Sequence, residues 1–260
     1  MSGDVSGSRN GAAEEFDFEQ WRTGKTYYTA DLHLGHERII ELCGRPFGSV
    51  QEMNETILKR INAVVTARDT LVVLGDVLLG KMEVSLGLLN QIKARRIWII
   101  PGNHDRFSLA YRHGGSPEVR LSKRALWRRA YEEQVTGTGQ GGMRMLRCEP
   151  DREPSVWSGL VGGREVALSH YPYRGDSRGE GGEGVDRHAR LRPPWTGLPL
   201  IHGHVHNRWR TNGPMLNVGV DVNRFRPVGE NVVAEWLVGV AIGGPRAAAL
   251  REAAARGARG

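Results

Sequence analysis

Seven of the nine histidines lie in or beside five short polar clusters: Asp31-Leu32-His33, Gly75-Asp76, Gly102-Asn103-His104-Asp105, Ser169-His170 and His202-Gly203-His204-Val205-His206. His36 follows the first cluster closely, and His113 and His188 fall elsewhere. Imidazole, carboxylate and carboxamide groups without cysteine suit borderline divalent ions such as Mn, Fe, Zn or Ni, whereas Ca and Mg favour all-oxygen shells. Each cluster alone is a weak signal. An Asp-x-His pair shares a face of an extended segment by accident, and a Gly-Asp after a strand is weaker still. Gly-His-x-His is stronger, because both rings point to one side as a chelate requires. Taken together, two Asp, one Asn and four His exceed what one ion needs and suit two.

Such a site requires elements that bring distant clusters to one place. Each cluster follows a short apolar run: Thr26 to Ala30, Thr70 to Leu74, Arg96 to Ile100, Val166 to Leu168, and Leu198 to Ile201. Runs of this length, ended by Gly, Pro or charge, read as buried strands. The five strands would deliver their ligands at their C-terminal ends, the edge of an α/β sheet where ligands bind. Helices are expected between them. Ile39, Ile40 and Leu42 mark a short one closed by Gly44, and Ser49-Val-Gln-Glu52 is a capping box opening a helix from about Val50 to Val65. Met82 to Lys93 and Arg120 to Glu133 also read as helical, and Val232 to Val240 as a covering helix. The alternation up to Arg96 implies parallel strands joined by right-handed crossovers. Beyond it, Ser155 to Val161 and Glu165 to Ser169 flank Gly162-Gly163-Arg164 as a hairpin. Met215 to Val222 reads as the last sheet strand.

Residues 1–23 are polar and read as a flexible lead-in, 24–243 as one domain and 244–260 as an Ala/Arg-rich tail. A length of 260 residues is enough for a full core. Cys43 and Cys148 form no CxxC pattern, so a disulfide framework is not suggested and a reducing cytoplasm fits. No signal pattern or membrane-length apolar run is present, so a membrane is not expected as a partner. The net charge of +7 is compatible with a polyanion such as nucleic acid, although it is weak evidence and a solvated basic face is the plainer reading. Gly175 to Gly184 forms a long loop that is either mobile or substrate-facing.

In order and rough spacing, the five clusters resemble those of the calcineurin-like metallophosphoesterase superfamily, above all its small single-domain bacterial and phage members. The resemblance covers about residues 25 to 222. It implies the metallo-dependent phosphatase fold, a four-layer α/β/β/α sandwich of two mixed β-sheets flanked by helices. It implies two divalent metal ions, with manganese first and Fe, Zn or Ni as alternatives. One ion would be held by Asp31, His33 and His206 and the other by Asn103, His170 and His204, with Asp76 bridging. His104 would contact the phosphate and protonate the leaving oxygen, and the attack would be direct, by a metal-bridging hydroxide. Asp105 either orients the His104 ring or stabilises a turn. His36, Arg106, Tyr171 and Arg174 are the candidate substrate contacts, each balanced by a plain structural or solvated role, and His202 is expected beneath the ligands. The implied activity is a metallophosphodiesterase acting on a small phosphodiester or nucleotide, 2′,3′-cyclic and also 3′,5′-cyclic nucleotides. A nuclease, a phosphoprotein phosphatase and a non-catalytic scaffold remain as alternatives. Ser169 departs from the Gly that family members often carry before this His.

Overall fold

The computed structural model describes residues 17–133, 138–139, 142–143, 145–149, 152–176 and 188–240. In chain order the elements are α1 (Phe18–Trp21), β1 (Thr26–Thr29), α2 (Arg38–Cys43), α3 (Val50–Asn62), β2 (Thr70–Leu74), α4 (Met82–Leu89), β3 (Arg96–Ile100) and α5 (Pro117–Glu133). They continue as β4 (Thr138–Gly139), β5 (Gly142–Met143), β6 (Met145–Cys148), β7 (Trp157–Val161), β8 (Arg164–Leu168), β9 (Leu200–His202), β10 (Thr211–Asn212), β11 (Met215–Asn217), β12 (Val228–Gly229) and α6 (Glu230–Gly239). One sheet has the order β12-β1-β2-β3-β6 and the other β10-β11-β9-β8-β7, while β4 and β5 form a ladder of their own. Strands β1, β2, β3 and β6 are mutually parallel and β12 is antiparallel to β1. In the second sheet β8, β9 and β11 run parallel, with β7 and β10 antiparallel at the edges. Both sheets are mixed and helices flank them, as the implied fold requires.

Alternation along the strands builds the layers, because successive side chains point to opposite faces. Tyr28, Val72, Leu74, Trp98 and Ile100 turn inward and share one buried cluster with Val166, Leu168, Ile201 and Leu216 of the facing sheet. Their neighbours Leu71, Val73, Ile97 and Ile99 turn outward onto Ile57 and Ile61 of α3, Leu89 of α4 and Tyr131 of α5. On the outer face of the second sheet Ala167, Leu200 and Met215 are covered by Tyr173, Leu198 and Trp209. Helix α6 buries Val233 and Leu237 in the cluster between the sheets. Buried Glu149 clasps the sandwich, accepting hydrogen bonds from Trp98 Nε1 at 2.8 Å and Trp157 Nε1 at 3.2 Å.

The expected helices form where their signals stand. Ser49 caps α3 by accepting from the Glu52 amide, and Gly44 ends α2 at φ 61°. Three expectations change. The lead-in gives way earlier than residue 23, since Asp17 caps α1 and buried Phe18 stacks on Trp98 with ring centroids 4.5 Å apart. Met215 to Val222 is strand only to Asn217 and then a 3-10 turn, and the last sheet strand is β12, too short to leave a periodic pattern. Arg164 belongs to β8, paired with Val161, leaving Gly162 and Gly163 as the hairpin turn. The tail from residue 244 and residues 177–184 of the Gly-rich loop lie outside the described residues. Among the described residues no helix is long and apolar enough to cross a membrane.

Candidate metal centre

The parallel pairing of β1, β2 and β3 places Asp31, Asp76 and Asn103 along one edge, and β8 and β9 deliver His170 and His204. Backbone bonds lock the loops to each other: Asp31 N donates to Gly75 O at 3.1 Å, His33 N to Asp76 O at 2.9 Å, and Gly203 N to His170 O at 3.1 Å. Gly75 sits at φ 79°, and a Cβ there would lie 2.6 Å from both the Gly102 backbone and His170 Nδ1. Glycine is what lets three ligand loops meet this closely.

Five of the ligand candidates, Asp31, His33, Asp76, His204 and His206, have φ between 48° and 72°. Asp and His tolerate this left-handed region better than most residues, yet such conformations persist only where the surroundings over-determine them. Here they turn the side chains back into a common space. One ligand atom from each of Asp31, His33, Asp76 and His206 lies within 4.8 Å of the others, so a single cation can reach all four. Beside this group, His170 Nε2 is 3.1 Å from Asn103 Oδ1 and 3.2 Å from His204 Nδ1. Asp76 Oδ2 stands 3.5 Å from His33 Nε2 and 3.5 Å from His170 Nε2, facing both groups at once.

The rings are oriented from behind, as metal-ligating histidines require. His170 Nδ1 lies 2.8 Å from Leu74 O, His204 Nε2 is 3.5 Å from Asp176 Oδ2, and His206 Nδ1 is 3.2 Å from Asp221 Oδ2. Each contact leaves the other ring nitrogen for the centre. His33 Nδ1 meets His36 Nδ1 at 3.3 Å, while His33 Nε2 is buried with no hydrogen-bond partner, an orphan that a cation would satisfy. Burial holds His33 well below its ordinary pKa and His204 down to about 4, so both are neutral as ligands must be. Burial opposes ionisation of Asp76, but His170, His104 and His33 outweigh it and hold the carboxyl below its usual range. His206 differs: burial opposes its charge, yet Asp31 and Asp221 raise it to about 11, so an arriving cation must displace a proton there. The donor set and its protonation fit divalent metal.

Asp221, Asp176, Arg45 and His188 were not singled out by sequence. Arg45, with a fully buried side chain, holds both Asp221 oxygens at 2.8 and 2.9 Å and donates to Asp31 O and Leu32 O. It therefore ties the ring support of His206 to the first ligand loop. Asp176, at the start of the Gly-rich loop, pairs with Arg192 and is held down to about 2, where burial is outweighed by His204 and Arg192. The His188 ring centroid lies 5.1 Å from that of His204. Asp221 alone left a trace, since Gly219-Val-Asp221 repeats the strand-then-Asp pattern of the other clusters.

The remaining candidates separate clearly. His36 joins the cluster, its ring centroid 6.2 Å from that of His104 and its pKa lowered to about 4 by burial and His104. His202 packs below on Trp209, at 4.8 Å between centroids, as expected. Tyr171 is buried at 1% exposure against the His170 and His204 rings and is a wall, not an accessible substrate contact. Arg106 lies 4.7 Å over the Trp127 ring and donates to Gly80 O, turned to a structural role, and Arg174 is exposed. Ser169 uses its hydroxyl on Ser155 O and the Tyr171 amide, bonds a Gly could not make.

Asp105 proves to be the turn-stabilising alternative and not the orienter of His104. Its carboxylate accepts from the amides of Gly102 and Asp76 at 2.9 Å each and of Val77 at 3.0 Å, clasping two ligand loops. Burial, with the charge of Asp76, pushes it up to about 7. Asp105→Asn sets an amide NH₂ against backbone donors and is expected to cost about 2–3 kcal/mol of stability, read as a lower denaturant midpoint. A variant that keeps its stability but loses turnover would instead restore the ring-orienting role.

The model of the calcineurin-like phosphoesterase family matches residues 24–208. The Gene 66 protein of Mycobacterium phage L5 is 32% identical over 205 residues, covering 75% of this chain and 86% of its own length. The Gene 66 protein of Mycobacterium phage D29 is 29% identical over 201 residues, covering 75% and 87%. A crystal structure of a protein of unknown function from Aquifex aeolicus covers 82% of this chain and 98% of its own, at 21% identity and a TM-score of 0.49.

Proposed function

Because this chain belongs to the calcineurin-like phosphoesterase family, we propose that its metal-dependent phosphoric ester hydrolysis is directed at small phosphodiesters, 2′,3′-cyclic nucleotides first and 3′,5′-cyclic nucleotides in addition. The observation that carries a two-cation reading is the position of Asp76 Oδ2, equally 3.5 Å from one imidazole of each group. A carboxylate oxygen between two donor sets is what a dinuclear centre uses as its bridge. In this reading Asp31, His33 and His206 hold one cation and Asn103, His170 and His204 the other. Once bound, the cations, with Mn first among the candidates, supply Lewis-acid chemistry that acidifies water and neutralises phosphoryl charge.

The chain's own groups do the rest. Asn103 and His104 are half-exposed at the floor of a cavity of about 750 Å³, within the range of small-molecule sites. This concavity supports a nucleotide-sized substrate over a phosphoprotein. The His104 amide is pinned to Asp76 Oδ1 at 2.8 Å, which sets its ring beside the bridging carboxylate, ready to protonate a leaving oxygen. Asp105 holds the loops that carry both residues. Unpaired Cys43 and Cys148 accord with a reducing cytoplasm.

A turnover panel with Mn tests this reading: 2′,3′-cyclic AMP, 3′,5′-cyclic AMP, a single-stranded oligonucleotide, a phosphopeptide and bis-p-nitrophenyl phosphate. The 2′,3′-cyclic nucleotide is expected to show the highest kcat/KM among the biological substrates, with activity lost to chelator and restored by Mn. Preference for the phosphopeptide or the oligonucleotide overturns the substrate class. Inertness toward every member with every divalent ion overturns the enzyme.

A further inference from the structure

Among the described residues, the carboxylate-free lining of the cavity at Asn103 and His104 carries four arginines, Arg112, Arg120, Arg124 and Arg190. Its sides are the segment after β3 with the first half of α5, and the turn from His188 to Leu191. Three of these arginines come from residues 112–124 and the fourth from the turn at 188–191, and all four line one concavity, Arg120 and Arg124 half-buried and Arg112 and Arg190 exposed.

Two of the four are partly committed elsewhere. Arg124 donates to Ser108 O at 3.1 Å and Leu109 O at 3.4 Å, which fixes its position, and among the described residues it has no carboxylate within ion-pair distance. Arg190 has exposed Glu153 at 3.9 Å. Neither Arg112 nor Arg120 has a carboxylate within ion-pair distance among the described residues. Guanidinium groups in such a setting match phosphate oxygens, often by two parallel hydrogen bonds. Tyr111 and His113, with ring centroids 4.9 Å apart, add flat surface beside them.

In the phosphodiesterase reading the scissile phosphorus sits with Asn103 and His104, and the arginines line the rest of the same cavity, where a second anionic group would meet them. We propose that the cavity selects nucleotides bearing a second phosphate beyond the scissile one, as in a 2′,3′-cyclic nucleotide that carries a 5′-phosphate. This inference rests on the phosphodiesterase reading and deepens it. Arg112 and Arg120 bind the remote phosphate, and Arg124 holds the wall in place and adds its field.

The matched pair for the test is adenosine 2′,3′-cyclic phosphate with and without a 5′-phosphate, hydrolysed by the Mn-loaded enzyme. A charge-assisted contact contributes enough to favour the 5′-phosphorylated substrate by about 10–100-fold in kcat/KM. The double variant Arg112→Ala/Arg120→Ala is expected to bring this ratio to about 1, and Arg112→Lys/Arg120→Lys to keep most of it. Calorimetric binding without metal gives an independent reading: adenosine 3′,5′-bisphosphate should bind the wild type at least tenfold tighter than adenosine 3′-monophosphate, which lacks the remote phosphate, and the alanine variant should lose the difference. Equal kcat/KM for the two cyclic substrates, or a ratio untouched in the alanine variant, overturns the inference and leaves the phosphodiesterase reading intact. If neither cyclic substrate is hydrolysed, the phosphodiesterase reading falls, and equal binding of the bisphosphate and adenosine 3′-monophosphate then overturns the phosphate pocket as well.

Discussion

Replacing Asp76 by asparagine is expected to lower turnover by about 10³–10⁴-fold and to reduce the bound metal in the same preparation. The side chain is buried, and its Oδ2 is 3.5 Å from His33 Nε2 and from His170 Nε2. Asparagine keeps an oxygen for the His104 amide, which Asp76 Oδ1 now accepts at 2.8 Å. It loses the negative charge and the second oxygen, the two properties a bridge between cations needs. Bound cations contribute several kcal/mol of charge stabilisation to phosphoryl transfer, and each 1.36 kcal/mol is tenfold in rate, which sets the size of the loss. Because the substitution is isosteric and removes a charge at costly depth, the metal-free variant should fold with a circular dichroism spectrum like that of the wild type. Metal content by atomic emission and kcat with saturating Mn check the two halves together. A variant that binds two equivalents of metal and still hydrolyses bis-p-nitrophenyl phosphate at the wild-type rate would remove Asp76 from the bridge.

The centre could be read from sequence because its residues follow strands. Apolar runs of about five residues fix the strand ends, and side chains just beyond them are brought together by parallel pairing, without detailed knowledge of packing. On the sequence alone, the strand-end pattern and the family resemblance gather Asp31, His33, Asp76, Asn103, His170, His204 and His206 around one space. Legibility stops where function depends on pairs with no local pattern. Asp221 meets Arg45 from 176 positions away, and Asp176 meets His204 from within a stretch whose composition spells only loop. Asp105 illustrates the opposite failure. Its position next to His104 suggested partnership, but its oxygens serve the Gly102 amide of its own turn and the Asp76 and Val77 amides of the loop after β2. Tyr171 and Arg106 follow the same lesson: adjacency to a ligand in sequence put one beneath the rings and the other over Trp127. The cavity arginines were legible only as charge, because solvated and convergent charge have the same composition.

His104→Ala is expected to lower kcat by about 10²–10⁴-fold, the usual worth of a positioned general acid, while leaving metal content unchanged. The two outcomes separate because His104 differs from its neighbours in what it touches. Asn103 Oδ1 is 3.1 Å from His170 Nε2, inside the donor cluster, whereas the His104 ring stands outside it with its centroid 5.3 Å from that of His33. Its link to the centre runs through its backbone amide, and alanine retains that hydrogen bond to Asp76. The ring is half-exposed at the cavity floor, so truncation leaves no buried void and should cost little stability. The chemistry of the leaving group sharpens the test. A proton donor matters most for an alkoxide, which leaves poorly, and least for p-nitrophenolate, which leaves without help. Loss of kcat should therefore be large with 2′,3′-cyclic AMP and at least tenfold smaller with bis-p-nitrophenyl phosphate. An equal loss on both substrates would move His104 from proton donor to phosphate contact, and a loss of metal would move it into the coordination shell.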